Sequence, residues 1–130
     1  MRAYRDDAVA DLDFLLESGF FEKATTARHL VGSERVPVPE ALAADWSGAL
    51  RHERLEFISY PYEWSFSMLQ DAALLQLQLA RDALADGLIC KDATPYNVQF
   101  VGSRPTFIDV GSFERLQPGQ PWVGYQQFCE

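Results

Sequence analysis

The sequence predicts an α+β fold, with a helical N-terminal part, one strand, a long buried helix and a β-hairpin behind a polar loop. Three observations lead there. The stretch SFSMLQDAALLQLQLARDALADG repeats apolar residues at helical spacing. After Gly87 the period shortens, and NVQFV and PTFIDV read as two β-runs joined by the turn GSR. The N-terminal DDAVADLDFLLESG is also helical in period, with Val9, Leu12, Leu15 and Leu16 on one face.

Taken in order, Asp6 and Asp7 open the first helix, where the helix dipole favours negative charge, and Gly19 is its expected stop. FFEKATTARHL reads as a second short helix. VGSERVPVPE, with one glycine and two prolines, reads as a connection, and Pro39 is placed to open a brief helix. RLEFISYPY alternates with apolar residues on both faces, which predicts a mostly buried strand stopped at Pro61. In the long helix, Ser67 and Gln70 fit a capping box. Met68, Ala72, Leu75, Leu79 and Ala83 form its apolar stripe, flanked by Leu69, Ala73, Ala80 and Leu84. So wide a stripe predicts burial over much of the circumference. Gly87 ends it, LIC follows as a short strand, and the tail closes on an aromatic run.

Composition narrows the function. The net charge of −8 repels a phosphate backbone, so nucleic acid is not an expected partner. No apolar run approaches the ~20 residues of a membrane span. The N-terminus lacks a signal peptide's apolar stretch, so no membrane partner and a cytoplasmic location are expected. Cys90 and Cys129 show no metal spacing and are expected as reduced core residues. His29 and His52 read as structural or exposed. YPYEW reads as hinge packing, with an aromatic binding platform as its alternative.

The chemistry lies in CKDATPYNVQFVGSRPTFIDVGSFE. Phosphoryl transfer needs a carboxylate near the attacking hydroxyl and oxygen ligands for Mg²⁺. Protein kinases supply them from H-R-D-x-x-x-x-N and from D-F-G after a hairpin. Here Asp92 and Asn97 stand at the same interval as that Asp and Asn; the hairpin follows, and Asp109 precedes Gly111 as in D-x-G. Each also has a plain structural reading. Asp92 is then a turn residue before Pro95, Asn97 a loop-anchoring amide, and Asp109 a carboxylate capping the next turn.

On these residues the segment from Leu55 to Phe113 resembles the central part of a protein-kinase-like fold, aminoglycoside and choline kinases included. The resemblance makes Leu55–Tyr60 the last small-lobe strand before a hinge and Ser67–Asp86 the first large-lobe helical region. It makes Asp92 the catalytic carboxylate, Lys91 a phosphate contact, and Asn97 and Asp109 the Mg²⁺ ligands. Mg²⁺ and ATP are the implied cofactors, and a small molecule or nucleotide the implied partner. Cys90-Lys91 replaces the kinase His-Arg pair; Gly19, Gly32 and Gly48 form no phosphate loop; no lysine sits in an apolar strand.

A second resemblance covers more of the chain. HERLEFISYPYEWSFSMLQDAALLQLQLARDAL, KDATPYNVQF, PTFIDVGSFE and PWVGYQQFCE resemble the N-terminal region of a bacterial family of SAM-dependent methyltransferases, some linked to nodulation. That implies a kinase-like segment, by itself inactive, with SAM held only by a C-terminal domain beyond Glu130. The expected organisation is a helical N-terminal part, 1–54, and a kinase-like core segment with an incomplete large lobe, 55–130, in one folding unit. The alternatives are a small-molecule phosphotransferase relative and a catalytically silent scaffold. Docking to another domain or chain is expected through Trp122, Tyr125 and Phe128.

Overall fold

A computed structural model describes residues 1–130. In chain order the elements are β1 (Arg2–Tyr4), α1 (Asp6–Glu17), α2 (Gly19–Thr26), β2 (Ser33–Val36), β3 (Gly48–His52), α3 (Phe66–Ala85), β4 (Leu88–Cys90), β5 (Val98–Val101), β6 (Arg104–Phe107), β7 (Phe113–Arg115) and α4 (Gly124–Cys129). The class is α+β. β1, β3 and β2 form an antiparallel sheet with β3 in the middle, β4 pairs with β7, and β5 with β6.

The N-terminal part is therefore not helical alone. β2 reads Ser-Glu-Arg-Val, with both charges exposed, and lies at a sheet edge. Such a strand has no apolar alternation to betray it. The helices there do follow their periodicity: Leu12 and Leu15 of α1 are buried, and Phe20 and Ala24 of α2 join the same core. Gly19 opens α2 rather than simply ending α1. Ser18 serves both, donating its hydroxyl to the Leu15 carbonyl at 2.6 Å and accepting from Phe21 N–H at 3.1 Å. Asp86, at the far end of α3, accepts the Phe20 N–H at 2.5 Å and ties the two helices together. The helix at Pro39 is one 3₁₀ turn, Glu40–Leu42.

The predicted strand at Leu55–Tyr60 is absent. Those residues run as an irregular connection in which Phe57 is 79% exposed. Its Ser59 explains why. The Ser59 N–H and C=O bond the side-chain amide of Gln99 at 2.9 and 3.0 Å, so they are not available to a ladder.

α3 runs where it was expected, but Ser65, not Ser67, caps it by accepting the Met68 N–H at 3.3 Å. Its buried face holds Ala72, Leu75, Leu79 and Ala83, with Gln76 and Ala80 beside them. Full burial of a leucine is worth about 1.5–3 kcal/mol, which makes Leu75 and Leu79 anchors of the core. The expected burial over much of the circumference is not found. Phe66, Leu69, Leu77 and Leu84 share one side, and all four are exposed. Gly87 ends the helix at φ +76°, and its N–H reaches the Leu84 carbonyl.

One core cluster runs from Tyr4 to Phe113 and takes residues from both parts of the chain. Phe107 joins them: its N–H donates to His29 C=O at 2.8 Å, and its C=O accepts from Val31 N–H at 2.9 Å. The tail corrects the expectations for Trp122, Phe128 and Cys129. Trp122 and Phe128 pack against the core, leaving Tyr125 as the exposed member of the predicted docking set. Cys129 is exposed rather than buried. No helix of the chain is long and apolar enough to cross a membrane.

Candidate functional site

Pairing of β4 with β7 brings the segment after Cys90 against the one before Phe113, and Lys91 N–H donates to Ser112 C=O at 2.8 Å. Lys91, Asp92 and Asp109 thereby line one open cleft of about 450 Å³, together with Arg2, Arg5 and Trp46. Three of the four predicted site residues are thus brought together. The fourth, Asn97, does not line the cleft. Its amide donates to the Asp92 carbonyl at 3.1 Å, and its own carbonyl accepts from Ile108 N–H at 2.8 Å. It behaves as the loop anchor of the plain structural reading.

Asp92 closes a tight turn, one carboxylate oxygen accepting from Thr94 N–H at 3.2 Å. Lys91 extends to Glu114, with Nζ 3.4 Å from a carboxylate oxygen. Asp109 has both oxygens engaged: Arg2 pairs with one, and the Ser112 hydroxyl donates to the other at 2.9 Å. Arg2 and Tyr4 are two apart on β1 and so face the same way. Arg2 meets Asp109, and the Tyr4 ring lies where a Cβ on Gly111 would come within 3.0 Å. A side chain at 111 would press on the Tyr4 ring, which would have to shift to admit it. Burial raises the Tyr4 phenol above its ordinary pKa, and its hydroxyl has no partner.

Three contributors escaped the sequence reading. Arg2 and Tyr4 belong to a three-residue strand too short to announce itself. Gln127 of α4 brackets Asp92 from both sides: its Oε1 accepts from Ala93 N–H at 3.0 Å, and its Nε2 donates to Lys91 C=O at 2.9 Å. These are contacts between distant segments, and no local pattern encodes them.

The chain is similar to a nodulation protein. It is 58% identical over 81 residues to nodulation protein NoeA of Rhizobium meliloti (strain 1021). The match covers 62% of this chain and 17% of NoeA, so the chain corresponds to less than a fifth of that relative. No protein-family model matches.

Asp109 spends both oxygens on Arg2 and Ser112, Asn97 points its amide into the loop backbone, and no three His, Cys, Asp or Glu side chains gather as ligands. A cation at Asp109 would have to displace a guanidinium already there.

Cys90 is a free, buried cysteine beside the same loop. Burial pushes its thiol up to about 12, and the Sγ donates to the Asp92 carbonyl at 3.4 Å. Because the folded state keeps its proton above the ordinary value of 9.0, the unfolded chain loses a proton first as pH rises. The contribution of Cys90 to stability is whole below about pH 9 and lost toward pH 12. Urea midpoints measured from pH 8 to 11 are expected to fall more steeply for the native chain than for Cys90→Ala. Equal slopes would rule this out.

Proposed function

We propose that this chain is the kinase-like N-terminal segment of a SAM-dependent methyltransferase-family protein related to nodulation proteins, and that it serves as an interaction module rather than a phosphotransferase. The observation that carries this reading is the occupation of Asp109 by Arg2 and Ser112. A guanidinium supplies the positive charge that a metal would otherwise bring, and it cannot bridge phosphates as Mg²⁺ does. The Ser59–Gln99 bonds agree with it. In the hinge-like segment, a backbone donor and acceptor that a flat base would need are taken by a side chain of the same protein.

The exposed stripe of Phe66, Leu69, Leu77 and Leu84 supplies a surface for docking. In this reading the stripe is covered by the remainder of a longer protein, and SAM is held by residues outside this chain. NoeA, of which the match covers 17%, has the length for such a remainder.

A second reading keeps a nucleotide site, favoured by the shared cleft of Lys91, Asp92 and Asp109. Titration calorimetry with Mg-ATP separates the two. No heat is expected from the native chain or from Asp109→Ala. Saturable heat from the native chain, lost in Asp109→Ala, would establish the second reading instead.

A further inference from the structure

The chain has nine arginines, its 11 basic residues less Lys23 and Lys91. Five are ion-paired: Arg2 with Asp109, Arg35 with Asp13, Arg51 with Glu34, Arg81 with Asp82 and Arg115 with Asp11. Arg5 lies over Trp46, 5.5 Å from the ring centroid. The remaining three, Arg28, Arg54 and Arg104, all line a single cleft of about 740 Å³. Four of the nine arginines thus have no carboxylate partner, although 19 acidic residues are available to 11 basic ones. Three in one cleft concentrate positive potential there. Glu53 and Glu56 also reach it, leaving the lining at +1 (three minus two) in a chain of net −8.

Arg28 is held in place under strain. It follows the last turn of α2 at φ +60°, a left-handed conformation that glycine or asparagine ordinarily supplies. The buried Thr106 hydroxyl donates to the Arg28 carbonyl at 3.0 Å and fixes that backbone. A strained non-glycine residue on the wall of a cleft points to a use for its side chain.

Leu55, Phe57 and Phe100 add an apolar wall, and the volume suits a small organic molecule. The cleft shares no lining residue with the one at Asp92 and Asp109. We propose that it binds a small organic anion. The apolar body lies against Phe57 and Phe100, and an oxyanion head sits among the three guanidinium groups, whose forked donors match such oxygens.

The probe is 8-anilinonaphthalene-1-sulfonate, titrated into the native chain and followed by fluorescence. One saturable site is expected. The uncharged N-phenyl-1-naphthylamine should bind ~10-fold more weakly, as should the sulfonate to Arg54→Ala/Arg104→Ala, where both replaced side chains are exposed. Arg28→Gly is expected to raise the thermal midpoint, by relieving the backbone, while weakening the probe. Leu77→Ser, on the exposed side of α3, should leave the titration unchanged. Equal affinity for the charged and uncharged probes, indifference to the arginine changes, or loss of binding in Leu77→Ser would each overturn the proposal.

Discussion

Replacing Phe107 with alanine is expected to lower the unfolding free energy by about 3–5 kcal/mol, the range for emptying a large aromatic site in a packed core. Phe107 is fully buried, and its ring meets Phe113 edge-on at 5.5 Å. Its backbone pairs with Val98 across the hairpin and with His29 and Val31 on the other side. Removing the ring therefore loosens the place where residues 1–54 and the hairpin meet. Val101→Ala, at the exposed end of the same hairpin, should change stability by no more than about 0.5 kcal/mol. Urea unfolding followed by fluorescence and by circular dichroism measures both. The two probes should give coincident transitions, because one core cluster spans the chain. Two separate transitions would mean that the two parts fold independently.

The second large effect is expected from Gln127→Ala. This one side chain satisfies the buried Ala93 N–H and also holds the Lys91 carbonyl. Truncation leaves a buried donor without a partner, at about 1–3 kcal/mol. The loss falls on the loop that presents Asp92. Hydrogen exchange at the Ala93 amide should accelerate by roughly ten- to a hundredfold, since each 1.4 kcal/mol is a factor of ten. Amides of Leu75 and Leu79, in the middle of α3, should change far less. Unchanged exchange at Ala93 would show that the tail does not hold the loop.

These two positions also show which features can be read in a sequence of this kind. α1, α3 and the β5–β6 hairpin were legible because each carries its own period or turn. Gly102, at φ +62°, makes the tight turn that GSR announced. β1, β2 and β3 were not legible. They are three to five residues long, and β2 turns two charges to solvent. Leu55–Tyr60 misled in the opposite direction: its apolar residues suit a strand, but Gln99 takes the Ser59 backbone and the run stays unpaired.

The site divides along the same line. Lys91, Asp92 and Asp109 come together because β4 and β7 pair and the hairpin returns the chain. What lies beside them was hidden. Arg2 reaches Asp109 across 107 positions, and Gln127 reaches Lys91 across 36. Spacing supplied the carboxylates; only the tertiary fold supplied the guanidinium that occupies one of them.

The role of Arg2 is open to one direct measurement, Mn²⁺ titration followed by electron paramagnetic resonance, with Mn²⁺ standing in for Mg²⁺. With the native chain the spectrum should remain that of the free ion, because Arg2 and Ser112 hold the Asp109 oxygens. With Arg2→Gln, which withdraws the competing charge and keeps much of the side chain's length, part of the signal should be lost to a bound form. Asp109→Asn in the same background should restore the free spectrum. Uptake of one Mn²⁺ by the native chain, abolished by Asp109→Asn alone, would contradict the assignment of that position to arginine.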